Sequence, residues 1–164
     1  FNARFGDPEC EALLVRMESS LLTLLDAATD RRLETAAPPI WREGASVTVV
    51  MAADGYPGPV VKGRPIRGLA AASGIDGVEV FHAATRGTEG EPVTDGGRVL
   101  AVTAVDDSLA RAKLRAYTAV KEIRWAGGWC RKDIADKGIR RERELFAGEV
   151  EPGSESEAPA GGGA

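Results

Sequence analysis

Between Asp7 and Thr29 apolar residues return every three or four positions, at Leu14, Met17, Leu21, Leu24, Leu25 and Ala28, while Glu11, Arg16, Glu18 and Asp26 mostly fall between them. That spacing belongs to a helix with one apolar face and predicts a helix from Asp7 to about Thr29. Asp7 stands where it can cap this helix, and Pro8 takes its first position, where a missing N–H costs nothing. Pro38-Pro39 then stops regular structure, so residues 30–40 read as a linker between two domains.

The pattern next shortens to a strand period. Ser46–Ala52 is rich in β-branched residues and ends in the turn-forming run Asp54-Gly55-Tyr56-Pro57-Gly58, which predicts a buried strand. A second turn at Lys62-Gly63 precedes a possible short strand from Pro65 to Leu69, and Gly77 opens a clearer one over Val78–Ala83. Glu91–Thr94 and Val99–Thr103 flank Asp95-Gly96-Gly97, a hairpin signal. Asp107 or Ser108 can cap a second helix whose inner face carries Leu109, Ala112, Ala116, Tyr117, Val120 and Ile123. Gly127-Gly128 ends it, and Trp129–Ile134 forms a last extended segment. The mixed charges Lys137, Arg140, Arg141, Glu142, Arg143 and Glu144 read as a solvated helical face.

The expected fold class is α+β: a strand end and helix, then a small, mostly antiparallel sheet with a packed helix. Three parts follow, residues 1–38, 39–147 and 148–164. The last is acidic and rich in Gly, Ser, Pro and Ala, with too little apolar surface to offset the entropy of ordering. It is expected to be a disordered tail.

Composition changes this picture little. The chain has 164 residues, 43% of them hydrophobic, enough for one ordinary core and an appendage. The net charge of −4 is carried by Glu149, Glu151, Glu155 and Glu157, and the remainder is balanced. A nucleic-acid partner usually leaves a basic surplus, so none is expected. Cys10 and Cys130 form neither a metal-ligand spacing nor a disulfide framework, which fits a reducing cytoplasm. No apolar run approaches the roughly 20 residues of a membrane span, and no Walker-type loop occurs.

Candidate chemistry concentrates at the start. Asn2 offers a hard carbonyl oxygen of the kind Mg²⁺ accepts beside carboxylates and phosphates, and Arg4 a planar fork suited to phosphate or carboxylate. Arg86 beside Gly87, and Arg98 after Gly96-Gly97, combine a guanidinium with glycines whose N–H groups can approach an anion. Lys62 is a weaker candidate of the same kind. His82, the one histidine, has no ligand partners at suitable spacing and reads as a hydrogen-bonded structural residue.

The run Arg4-Phe5-Gly6-Asp7-Pro8-Glu9, with Asn2 two places ahead, resembles the signature of glycinamide ribonucleotide synthetase (phosphoribosylamine-glycine ligase), an ATP-grasp family of purine biosynthesis. The resemblance continues through Gly55-Tyr56-Pro57-Gly58, Lys62-Gly63, Phe81-His82-Ala83, Gly96–Thr103 and Arg131-Lys132-Asp133-Ile134, covering roughly residues 1–136. It implies that residues 1–38 end an ATP-grasp domain and that 39–147 form the synthetase C-terminal domain. The chain starts inside a motif and is expected to be the C-terminal piece of a longer enzyme, inactive alone, with the upstream ATP-grasp domain as missing partner.

The resemblance further implies ATP as co-substrate, Mg²⁺ or Mn²⁺ as cofactor, and glycine and phosphoribosylamine as the other small-molecule substrates. Asn2 matches the family's metal-binding asparagine, and Arg4, Arg98 and Arg86 are the implied substrate-binding residues. No catalytic side chain is assigned, because metal, arginines and backbone N–H groups carry this chemistry. Ala84, Ala135 and Pro59-Val60 depart from the family pattern. The rivals are another ATP-grasp carboxylate-amine ligase and a non-catalytic relic of the same fold.

Overall fold

The computed structural model describes residues 3–87 and 91–149. The apolar repeat near the start forms two helices instead of one, α1 (Glu9–Leu14) and α2 (Leu21–Thr29). Between them the chain is drawn into extended pairing with residues 40–42. Met17 bridges Trp41, the Glu18 N–H donates to the Ile40 carbonyl, and the Arg42 N–H donates to the Arg16 carbonyl. Ser20 then starts α2 afresh, its hydroxyl accepting from the Thr23 N–H, as an N-cap does. The helical period holds on each side of a break that a partner more than 20 residues away imposes.

Asp7 does not cap α1. The residue before the helix is Pro8, and Glu9 reaches back so that its Oε1 accepts from the Gly6 N–H at 3.1 Å. The Asp7 carboxylate is engaged elsewhere, by Arg98.

The centre of the molecule is a four-stranded antiparallel sheet in the order β2-β5-β1-β6, from β1 (Ala45–Ala52), β2 (Val78–His82), β5 (Arg98–Asp106) and β6 (Trp129–Cys130). Alternation along a strand sends successive side chains to opposite faces. Val47, Val49 and Met51 of β1 join Leu100, Val102 and Ala104 of β5 on one face. Against them packs α4 (Leu109–Glu122), burying Ala112, Ala116, Ala119 and Val120. Small alanines let the helix approach closely, and Ile123 just beyond it is also buried. Ser108 caps α4 by accepting from the Arg111 N–H.

The opposite face carries Ser46, Thr48 and Val50 with Ala101 and Thr103. Here α1 lies against β1 and β5, the Ser46 hydroxyl donating to the Ala12 carbonyl. Thr48 and Thr103 hydrogen-bond each other at 2.9 Å beneath this cover.

Two sequence expectations change in detail. Pro65 and Arg67 form isolated bridges, to Val93 and Arg124, and Leu69 begins the short helix α3 (Leu69–Ser73). The Asp95-Gly96-Gly97 run does not turn a hairpin: β4 (Val93–Thr94) pairs with β3 (Thr85–Arg86), whereas β5 pairs with β1 and β2. The last element, α5 (Asp136–Glu149), carries Lys137, Arg140, Arg141 and Arg143 exposed. The rest of the expected acidic tail lies outside the described residues, as does Asn2.

Candidate functional site

Segments far apart in sequence meet where β1 ends and β5 begins. The Ala53 N–H donates to the Gly97 carbonyl at 2.8 Å, the Trp129 indole N–H to the Ala53 carbonyl at 3.1 Å, and the Ala84 N–H to the Arg98 carbonyl at 3.0 Å. The Gly63 N–H donates to the Thr94 carbonyl at 2.6 Å, and the Arg64 N–H to the Thr94 hydroxyl. Gly97 is required for this convergence. A Cβ there would lie 2.2 Å from Cδ2 of Tyr56, so the ring seats against bare backbone.

A bulge aims Arg98. Met51 pairs with Leu100, but Ala52 pairs with Arg98, leaving Val99 as the extra residue. With regular alternation Arg98 would share the face of Leu100 and enter the core under α4. The bulge turns it to the other face, the one that α1 covers, as bulges re-aim side chains. There its Nη2 donates to the Asp7 carbonyl at 2.8 Å and to Asp7 Oδ1 at 3.0 Å, joining residues 91 positions apart. Its Nε is buried with no partner among the described residues. Burial tends to lower the pKa of this guanidinium, but the Tyr56 hydroxyl and the Asp7 carboxylate outweigh it, and the net direction is upward. Arg98 is therefore held as a cation with a donor to spare.

A second group forms around Asp95. Its Oδ1 lies 3.5 Å from Lys62 Nζ and 3.9 Å from Arg86 Nε. Both cations are exposed, and one carboxylate balances only part of their charge. Arg4 joins neither group: it is exposed, and its Nη1 donates to the neighbouring Phe5 carbonyl. His82 stands exposed on the edge strand β2, its Nδ1 2.9 Å from the Thr85 hydroxyl. Among the described residues no three His, Cys, Asp or Glu side chains gather as metal ligands.

Tyr56, Asp95 and Asp7 were not singled out as site residues by sequence. Each read as a turn or cap residue, a sufficient local explanation. Their second role depends on partners that only the folded sheet brings near. For Asp95 the available signal was its place between the glycine-flanked Arg86 and Arg98.

The signature blocks thus converge at one end of an antiparallel sheet in an α+β fold. A model of the phosphoribosylglycinamide synthetase C domain matches residues 46–137, from β1 into α5. The chain belongs to this family. It is similar to the phosphoribosylamine–glycine ligase of Rhodopirellula baltica, with 50% identity over 139 residues, covering 85% of this chain and 32% of that protein. The Pseudomonas aeruginosa ligase is 48% identical over 143 residues, covering 87% and 33%. A crystal structure of phosphoribosylamine–glycine ligase from Thermotoga maritima matches with a TM-score of 0.62 at 28% identity, covering 80% of this chain and 32% of that one. The α+β expectation is thereby borne out. The chain spans about a third of the length of the curated relatives it matches. No helix among the described residues is long and apolar enough to cross a membrane.

Proposed function

We propose that this chain serves as the C-terminal part of an ATP-dependent ligase joining glycine to 5-phosphoribosylamine. Glycine's carboxylate takes a phosphoryl group from ATP, giving glycyl phosphate and ADP. The amine of phosphoribosylamine then attacks the acyl carbon, and phosphate leaves as the amide of glycinamide ribonucleotide forms. The names of the relatives support this reading, and the observation that carries it is the Arg98–Asp7 contact. It ties the Arg4-Phe5-Gly6-Asp7-Pro8-Glu9 run to the Gly96-Gly97-Arg98 run, so that two signature blocks act as one unit.

Within this reading Arg4, Arg86 and Arg98 are substrate-binding residues and Asn2 is the ligand for Mg²⁺ or Mn²⁺. The contribution of the described residues is positioning and charge: cations fixed by the fold stabilise phosphoryl oxygens without reorganising during the reaction. No step through the metal is assigned to them. A cytoplasmic setting fits the two free cysteines.

The test is genetic. Replacing the matching C-terminal third of the Pseudomonas aeruginosa ligase by this chain gives a chimera that should restore purine-free growth to a strain lacking the ligase. Stable chimeric protein without growth would favour a non-catalytic relic and sink the ligase reading.

A further inference from the structure

Two hollows, of 420 and 560 Å³, lie along α4 on the side of β6. They share Val120, Lys121, Cys130 and Lys132, and so run together as one groove. Its bed is apolar and aromatic, with Leu114 and Tyr117 from the helix and Trp125 and Trp129 from the segment that follows it. Leu114 is 69% exposed and Trp129 42%. Apolar surface gathered in this way, rimmed by polar groups, marks a place where something binds.

The rim is cationic. Lys113, Lys121, Arg124 and Lys132 line the groove, and no Asp or Glu stands among the described residues that do. Lys113 is held by Asp136. Arg111, Arg115 and Arg131 nearby in sequence each have a carboxylate as well, whereas Lys121, Arg124 and Lys132 are exposed and make no ion pair with the described residues. An aromatic bed takes proline and other small apolar groups of an extended segment, and a basic rim selects an acidic one.

The chain carries a segment of that chemistry. Residues 150–164, outside the described part, hold Glu151, Glu155 and Glu157 together with Pro152 and Pro159, and no Lys or Arg. Their tether starts at the groove's rim, because α5 opens with Asp136, the partner of Lys113. The 14 residues of α5 carry the chain about 21 Å, and the 15 beyond it reach about 50 Å when extended, enough to return. Such a tether gives a local concentration on the order of mM, so even a weak contact is occupied. The helix α5 is the poorer acceptor: it has four basic and four acidic residues and offers the segment no net charge.

We propose that residues 150–164 dock along the groove between α4 and β6, their glutamates against Lys121, Arg124 and Lys132 and their prolines on the aromatic bed. The chain thus covers a site for acidic, proline-containing peptides with a segment of its own. This pairing does not depend on the ligase reading.

Amide spectra of the full chain and of a chain ending at Glu149 test it. The deletion should shift the signals of Leu114, Lys121, Lys132 and the Trp129 indole N–H, and leave those of β2 in place. A synthetic peptide of residues 150–164, titrated into the shortened chain, should move the same signals saturably toward their full-chain positions, and its binding should weaken as salt is raised. Lys121→Glu combined with Lys132→Glu should weaken the peptide about tenfold or more. Arg140→Glu combined with Arg141→Glu, on α5, changes the net charge equally and should leave its affinity unaltered. Thermal melts should show every variant folded. Superimposable spectra of the two chains, peptide binding that follows the α5 pair instead, or groove shifts that grow with protein concentration, as a second copy would give, would each overturn the proposal.

Discussion

Arg98 owes its position to one extra residue in β5. Because Val99 is the unpaired residue of the bulge, the guanidinium emerges on the side where Asp7 waits. The glycines around Arg98 were visible in sequence and marked it for attention, but the bulge that decides its face was not, since nothing in Gly96–Ala101 announces a register shift. A quieter pair lies on the same side of the sheet. Thr48 and Thr103 are 8% and 1% exposed and share one hydrogen bond. Removing one hydroxyl strands the other in a buried site, which costs more than removing both. Thr103→Val should therefore lower stability by about 1–2 kcal/mol, and Thr48→Val combined with it should cost less than the sum of the single changes. Urea unfolding of the three variants measures this, and strict additivity would contradict the shared bond.

At the scale of elements, β5 and α4 are joined by an ion cluster as well as by the core. Asp106, at the end of β5, has its carboxylate 7% exposed, with Arg115 Nη2 at 2.6 Å and Arg111 Nε at 2.9 Å. The Asp107 N–H donates to the same carboxylate. That N–H and the two arginines outweigh burial and hold the Asp106 pKa below the ordinary carboxylate value. A folded-state pKa below the unfolded one, about 3.9, gives stabilisation that is complete above that value and lost as pH falls through the folded one. Asp106→Asn should lower the melting temperature at neutral pH and narrow its gap from the parent below about pH 4. Melts across pH 2–7 check the sign, and a constant gap would contradict the linkage. Local periodicity made the major elements legible: β1, β2, β5 and α4 follow from alternation or from the three-and-four repeat. What it could not show is competition. Met17 leaves its helix for Trp41, and Val93-Thr94 leaves the expected hairpin for Thr85-Arg86.

For the whole molecule, the sheet gathers the signature blocks at one end. Order in sequence gave the blocks; their meeting required the ladder of β1 with β5 and the bare backbone at Gly97. Arg86 and Arg98 stand out in sequence as candidates because glycines flank them. The assay closest to the central claim is ADP release by the purified chimera. Sustained release over many turnovers should require both glycine, which accepts the phosphoryl group, and phosphoribosylamine, which consumes the glycyl phosphate, and Arg98→Ala should reduce kcat/KM by about ten- to a hundredfold, the range for a charge-assisted contact. Sustained ADP release indifferent to either substrate, or an Arg98→Ala chimera as active as its parent, would contradict the account.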